Sequence, residues 1–325
     1  MVIDVAERGT GRATSYTHLR RTLLEPQRIR ELSKLRPGRA VRDTALCWAT
    51  ILAVWAAAAA LDTWWAVAAA FVIGGNRFYA LFIIGHDGMH RRIFQDTKAN
   101  DLFTDVFVLA PIGAINHINN RNHLRHHQFL ATTADPDRHK HGCFNKTTPL
   151  QVVGYLTGAT SVLKNVVNVF RGGGRSRSND PDRPGYTARD LAVLLACQAV
   201  LVTGLTLTFG WWGYPVLWLA PVYCFTILAD NLRTFVEHSQ TEADHLADAH
   251  RLVTNDPPWI ERVLFAPMHM HFHAAHHLWP SIPYYNLPAA DAELRRSAGA
   301  DQLVWRGSYL GYLWRYTRAL PIAGC

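Results

Sequence analysis

Histidine is concentrated in four short stretches of this 325-residue chain, and the spacing within the stretches is helical. Two of them have the pattern HxxHH, which places three imidazoles on one helix face because residues three and four apart are neighbours there. A third has HxxxH, and the fourth has one histidine after a glutamate. The residues are His86, His90, His123, His126, His127, His238, His273, His276 and His277.

This set of imidazoles predicts metal binding. Neutral imidazole offers a nitrogen lone pair, and histidine is the commonest metal ligand, whereas a row of charged imidazoles would repel. Nine nitrogens exceed the three or four protein ligands of one zinc ion and suit two metals of five- or six-fold coordination. Imidazole binds iron, zinc, copper and nickel alike, so the ligand type does not select the metal. Chance pairing on a helix explains a lone HxxxH but not the whole set.

Long apolar segments must position these histidines. Charged residues make up 18% of the chain, against about 25% in typical soluble proteins. Four runs are long and apolar enough to cross a bilayer. Two further apolar stretches, 102–115 and 150–170, are shorter or interrupted, and we expect interfacial or core helices there. The predicted transmembrane helices form two hairpins and cover about 44–61, 63–85, 190–209 and 211–230.

The basic residues predict the orientation of the hairpins. Lys and Arg are frequent before the first run and between the hairpins, and both hairpin tips have none. The positive-inside rule therefore places both termini and the middle segment in the cytoplasm. All nine histidines fall on that side. The predicted fold is an all-α integral membrane protein with a cytoplasmic helical domain that carries the histidines.

The predicted catalytic domain covers residues 44–288, between a basic segment at 1–43 and a cytoplasmic C-terminal segment at 289–325. The basic segment has two interpretations, a solvated tail or a helix on the anionic membrane face. It lacks the apolar core of a signal peptide.

The five cysteines show neither CxxC spacing nor a disulfide framework. Arg77 either marks function inside the membrane or lies beyond the bilayer.

The histidine motifs resemble those of the membrane fatty acid desaturase superfamily over about residues 80–288. They are HDGMH from His86, NHLRHH ending at His127 with ADPD after it, EH at His238, and HxxHHLWPxIPYYNLP from His273. The resemblance implies two iron ions bound by the nine histidines. Carboxylate and amide side chains near ligand histidines commonly orient the imidazoles through the other ring N–H. The candidates for that role are Asp87, Asn122, Asp135, Asp137 and Glu237.

The resemblance also implies an enzyme that uses O2 and two electrons to introduce a double bond into a lipid acyl chain. No side-chain acid or base is required. No cytochrome b5 motif is present, so we expect a separate electron carrier, such as ferredoxin or rubredoxin with its reductase. The expected partners are a lipid or acyl substrate and the membrane, not nucleic acid.

Two alternatives stay open. Relatives of this kind include hydroxylases and carotenoid-type ketolases that insert oxygen at the same di-iron centre. A remote alternative from a different class is a membrane metal-binding or transport protein. The tail LWPSIPYYNLP is the part most similar to lipid desaturases and favours desaturation.

Three positions depart from family patterns. His271 stands where many relatives have Asn, and Ala275 stands where they have Glu. Thr234 occupies the position at which stearoyl-type members have Asn. We therefore expect a chain outside the acyl-CoA stearoyl-type branch.

Overall fold

The computed structural model describes residues 17–130, 135–137, 148–160, 185–239 and 251–320. The ends of both terminal segments and residues 161–170 of one predicted interfacial stretch lie outside the described residues. The described chain is mostly helical and forms two compact units. Unit 1 comprises Met1–Ser33, Asn122–Arg183 and Asp230–Cys325, and unit 2 comprises Lys34–Arg121 and Pro184–Ala229.

The helices of the described residues lie in both units. In chain order they are α1 (Thr17–Thr22), α2 (Pro26–Leu32), α3 (Pro37–Leu61), α4 (Trp64–Met89), α5 (Thr97–Phe103), α6 (Asn116–Phe129), α7 (Pro149–Leu156), α8 (Ala188–Phe209), α9 (Pro215–His238), α10 (Trp259–Phe265), α11 (His273–Leu278), α12 (Leu287–Leu294) and α13 (Tyr309–Ala319).

Helix α5 continues through a π-helical turn at Thr104–Leu109 into a 3-10 turn at Ala110–Ile112. Helix α9 contains π-helical turns at Pro215–Leu219 and Tyr223–Leu228.

A small parallel sheet in unit 1 is an addition to the predicted all-α fold. Strand β1 (Val253–Asn255) pairs with β2 (Val304–Arg306), with Val253 opposite Val304. Strands of three residues are too short to show an alternating pattern, and the partners are far apart in the chain. The sequence therefore offered no local signal for them.

Helices α3, α4, α8 and α9 are long and apolar enough to cross a membrane, by length and composition. The count rises to five if the bent pair Thr97–Ile112 and Asn116–Phe129 forms one span. Helix α3 begins at Pro37, well before the apolar run at 44, and α4 continues to Met89. Both helices thus extend beyond their apolar runs, and α4 includes His86 of the HxxxH motif.

Local sequence sets the ends of the long helices of unit 2. Pro37 lies in the first turn of α3, where its missing N–H breaks no helical hydrogen bond. The left-handed conformation of Asp62, with φ at 44°, ends the helix. Thr187 and Asp190 form a capping box at the start of α8.

The second half of α4 packs tightly within unit 2 because glycines face its neighbours. A Cβ atom on Gly85 would lie 2.4 Å from Leu109, and one on Gly88 would lie 2.4 Å from Thr104. The side chain of Asn100 is buried and donates to the carbonyl oxygen of Gly88 over 2.9 Å. These contacts fix the end of α4 that carries the HxxxH motif.

Unit 2 also contains an apolar cavity of about 660 Å³ between α3 and α8. Its walls include Trp48, Trp55, Leu201 and Gly204. Arg77, the basic residue inside the second predicted span, is half-buried and donates a hydrogen bond to the neighbouring Asn76 side chain.

Residues 17–33 pack within unit 1 and differ from a solvated tail. Leu23, Leu24 and Leu32 are buried. The amide of Asn286 donates to the carbonyl oxygen of Leu32 over 2.6 Å. This part of the basic segment is therefore built into the unit that holds most of the histidines.

The segment between Pro267 and Pro280 has room for about three helical turns, but only His273–Leu278 is α-helical. Helix α11 begins only at His273, because Met268 and His269 adopt left-handed conformations with φ at 53° and 65°. The carbonyl oxygen of His271 also accepts a hydrogen bond from the N–H of Asn255, at the end of β1. One short helix therefore carries the HxxHH motif.

Candidate metal centre

Helix α6 presents the histidines of the first HxxHH motif within unit 1. His123 and His127 are one turn apart, and their Nε2 atoms are 3.0 Å from each other. His126 and His127 are buried, and His123 is half-buried. The helical spacing therefore gathers three imidazoles on one side of the helix.

His126, His238 and His277 form a compact buried set in unit 1, which we call the first set. They come from α6, α9 and α11, and their available nitrogens lie within 4.8 Å of one another. The ring centroid of His126 is 4.7 Å from that of His238 and 5.0 Å from that of His277. Three imidazoles from three helices thus converge, as a histidine-bound metal requires.

His123, His127 and His276 form the second set, also in unit 1. The Nε2 atom of His127 lies 3.0 Å from Nε2 of both other residues. Neutral imidazole has a single N–H, so one Nε2 atom cannot donate in one contact and accept in the other. Two nitrogens about 2.1 Å from one metal ion and about 90° apart are themselves about 3 Å apart. The spacing therefore fits nitrogen ligands of a shared metal ion.

Burial favours the neutral form of two histidines of α11, His273 and His277. It lowers the pKa of His277 well below the usual value, and the neighbouring His273 and His126 lower it further. Burial also lowers the pKa of His273, with Arg233 as the next cause. The ring centroid of His273 is 4.3 Å from that of His277, although His273 belongs to neither set among the described residues. Neutral imidazole is the form that binds metal.

The carboxylate of Asp135 lies against the imidazole of His126. Nδ1 of His126 is 2.9 Å and 3.1 Å from the two carboxylate oxygens. The backbone N–H of Asp137 donates to the same carboxylate over 2.8 Å and holds it in place. A carboxylate at Nδ1 selects the tautomer that carries its proton there, which leaves the Nε2 lone pair for a metal.

Glu237 is fully buried near the end of α9 and lies beside His273. Its Oε2 atom is 3.3 Å from Nδ1 of His273, which is ion-pair distance without the alignment of a hydrogen bond. The carboxylate also accepts from Arg233 and from the hydroxyl of Tyr309. Neither Arg233 nor Tyr309 is among the residues predicted from the sequence. The i, i+4 spacing of Arg233 and Glu237 is a signal for the first, and no motif indicates Tyr309.

In unit 2 the HxxxH motif lies at the end of α4. The ring centroids of His86 and His90 are 5.1 Å apart, so the pair shares one side of the helix. Both histidines and Asp87 are buried. Asn122, the remaining predicted orienting residue, is half-buried on α6.

His269 and His271 precede the HxxHH motif of α11 and belong to neither set among the described residues. His269 is exposed. His271 is buried, and its pKa is lowered to about 3, mainly by burial. The carbonyl oxygen of His271 accepts a hydrogen bond from β1, and its buried neutral ring contributes to packing.

Fold and site together define the class of protein. The chain is mostly helical and membrane-associated, and its histidines converge into a cluster suited to binding metal. The family model for fatty acid desaturases matches residues 62–309. The chain therefore belongs to the fatty acid desaturase family and is an oxidoreductase, which confirms the resemblance of the histidine motifs.

Three relatives illustrate the family. An sn-1 acyl-lipid omega-3 desaturase (ferredoxin) of Synechocystis sp. is 25% identical over 81% of this chain and 78% of its own length. A protein of the same name from Nostoc sp. is 25% identical over 78% and 75%. A ceramide hydroxylase of Caulobacter vibrioides is 31% identical over 28% of this chain, and the match spans 27% of that hydroxylase.

Proposed function

We propose that the chain is an O2-dependent desaturase that introduces a double bond into a lipid acyl chain, with two iron ions bound by the nine histidines. The two sets of converging imidazole nitrogens in unit 1 carry this proposal. The two sets supply six of the nine proposed ligands. His273 and the HxxxH pair of α4 are the other three, and they are included because of their motif spacing in the sequence. Iron at this centre supplies the reduction of O2 and the removal of hydrogen from an unactivated C–H bond.

The role of the protein's own residues is to hold the ligands in place. Burial favours the neutral form of His273 and His277, and Asp135 and Glu237 orient His126 and His273. Orientation by a neighbouring carboxylate is a common device at histidine-bound metals and raises the basicity of the ligand. No side-chain acid or base is assigned to the substrate.

The cavity of unit 2 supports a lipid substrate. Its walls come from α3, α8 and the turns after α5, and its volume is about 660 Å³. Because the walls are mostly apolar side chains, a polar molecule bound there would lose hydrogen bonds without replacement. An acyl chain is therefore the molecule that this cavity suits.

The membrane arrangement follows from the same sequence features. We propose a multi-pass protein with two helical hairpins and with both termini and the histidines in the cytoplasm, in accord with the positive-inside rule. Electrons come from a separate carrier. The names of two relatives specify ferredoxin, which supports a ferredoxin with its reductase as the donor.

Hydroxylation is the second candidate. The ceramide hydroxylase relative has the highest identity of the three, although over a short region. The histidine pattern serves both reactions, because both begin with removal of a hydrogen atom from carbon.

The decisive experiment is expression of the full chain with ferredoxin and ferredoxin reductase in a bacterial host, followed by mass spectrometry of the lipids. We expect acyl products lighter by two hydrogens. Products heavier by one oxygen would establish the hydroxylase. Unchanged lipids, together with a purified protein that binds no iron and consumes no O2 when reduced, would contradict both and favour a metal-binding or transport role.

A further inference from the structure

We infer that Arg233, Glu237 and Tyr309 form a clamp that positions His273 as a metal ligand. Helix α13, which lies outside every histidine motif, thereby becomes part of the metal centre. The inference rests on the proposed function. All three are positioning residues, because they act through His273.

The clamp is centred on the carboxylate of Glu237, which is inaccessible to solvent. Oε2 accepts from Nη1 of Arg233 over 2.5 Å and lies 3.3 Å from Nδ1 of His273. Oε1 accepts from the hydroxyl of Tyr309 over 3.0 Å. The carboxylate is thus held from two sides while one edge faces the imidazole.

Arg233 offsets part of the cost of a charged carboxylate at this depth. An ionised group that is buried without a partner costs several kcal/mol. Arg233 lies one helical turn before Glu237, is itself buried, and pairs with Asp230 through Nη2 over 2.8 Å. The guanidinium therefore bridges two carboxylates and has little freedom to leave Glu237.

Tyr309 is fixed by contacts at the start of α13. Its backbone N–H donates to one oxygen of Glu261 over 2.7 Å. The hydroxyl of Ser308 donates to the other oxygen over 2.7 Å. Glu261 belongs to α10. The two hydrogen bonds hold the start of α13 against α10 and thereby set the position of the Tyr309 hydroxyl beside Glu237.

The charge of Glu237 favours one tautomer of His273. Nδ1 of His273 lies 3.3 Å from Oε2 and forms no hydrogen bond among the described residues, and a proton drawn to Nδ1 by that charge leaves the lone pair on Nε2. Nε2 of His273 is buried and has no hydrogen-bond partner among the described residues. A buried nitrogen of this kind is costly unless it binds something, and a metal ion satisfies it.

The test compares Fe²⁺ binding by the full chain in detergent, after removal of metal and under anaerobic conditions. Glu237→Gln keeps the shape but removes the charge, and Tyr309→Phe removes only the hydroxyl. Tyr316→Phe is the matched control, because Tyr316 is also buried on α13 and its ring packs against Phe235 at 4.9 Å. X-ray absorption of the iron-loaded variants counts the imidazoles per iron.

We expect Glu237→Gln to lower Fe²⁺ affinity about 10- to 100-fold, the usual effect of removing a partner of a ligand histidine. Tyr309→Phe should lower it in the same direction by a smaller factor. Both should show fewer imidazoles per iron, and Tyr316→Phe should match the unmodified protein. If Glu237→Gln does not fold, Tyr309→Phe decides the question.

Two negative results have different meanings. Unmodified affinity and imidazole count in Tyr309→Phe and in any folded Glu237→Gln would overturn the clamp and leave the proposed function intact. Failure of the unmodified protein to bind Fe²⁺ would overturn the proposed function itself, and the clamp with it.

Discussion

Asp135 contacts the imidazole of His126 at 2.9 Å, and His126 belongs to the first set of converging histidines. The carboxylate thus engages Nδ1 of His126 and leaves Nε2 as the nitrogen available to a metal ion. A backbone N–H from Asp137 holds the carboxylate in turn. These contacts support the prediction that Asp135 of the ADPD sequence orients a ligand histidine.

Asp135→Asn should weaken metal binding without unfolding the protein. The amide keeps the size of the side chain but loses the charge that favours a proton on Nδ1 of His126. We expect Fe²⁺ affinity to fall about 10- to 100-fold, measured by anaerobic titration. Asp301→Asn, at an exposed position, is the control. Equal affinities in the two variants would rule out the orienting role.

Removal of a histidine from either set should abolish turnover. His126→Ala removes a member of the first set, and His276→Ala removes a member of the second. We expect less bound iron and no double-bond formation, with normal insertion into the membrane. His18→Ala, at an exposed position in α1, should keep full activity. Activity of His126→Ala or His276→Ala at the unmodified level would remove these residues from the site.

Arg20, in the N-terminal segment, should stabilise the HxxHH motif of α11. Its guanidinium donates to the carbonyl oxygen of His277 over 3.0 Å, and Trp279 donates to the carbonyl oxygen of Arg20 over 3.1 Å. Arg20→Ala should lower the free energy of unfolding by about 1–3 kcal/mol, seen as a lower Tm in detergent. Arg21→Ala, at the exposed neighbouring position, is the control. Equal Tm values would show that this contact contributes nothing measurable.

Gly204 offers a way to test the cavity of unit 2 as an acyl-chain site. A Cβ atom added there meets no other atom within 4 Å, so Gly204→Phe can fill part of the cavity without a backbone clash. We expect poorer conversion of the longest acyl chains, measured as the product profile by mass spectrometry. Leu207→Phe, on an exposed position of α8, should keep the original profile. The same chain-length profile in both variants would place the acyl chain elsewhere.

Helical periodicity explains why much of the candidate site was predictable. The HxxxH and HxxHH spacings report neighbours on one helix, and the apolar runs report helices long enough for a membrane. The contact of Asp135 with His126 was also predictable, because Asp135 follows this histidine closely in the chain. Local motifs of this kind keep their meaning without knowledge of the tertiary structure.

Contacts between segments that are far apart in the chain could not be predicted from the sequence. Nothing in the sequence around Tyr309 indicates that its hydroxyl meets Glu237, and nothing in the basic N-terminal segment indicates Arg20 beside His277. The helix before Pro280 is also shorter than the segment between the two prolines allows, because the carbonyl oxygen of His271 accepts a hydrogen bond from Asn255 of β1. Such contacts depend on the path of the whole chain.

The sequence by itself determined the residue types, the helical spacing of the histidines, the apolar runs and the desaturase family. Only the tertiary structure decided which histidines share a set, which carboxylate faces which imidazole, and that α13 reaches Glu237. The physical reason is the range of the interactions. Helix periodicity is local, whereas convergence of α6, α9 and α11 depends on packing between segments that are far apart in the chain.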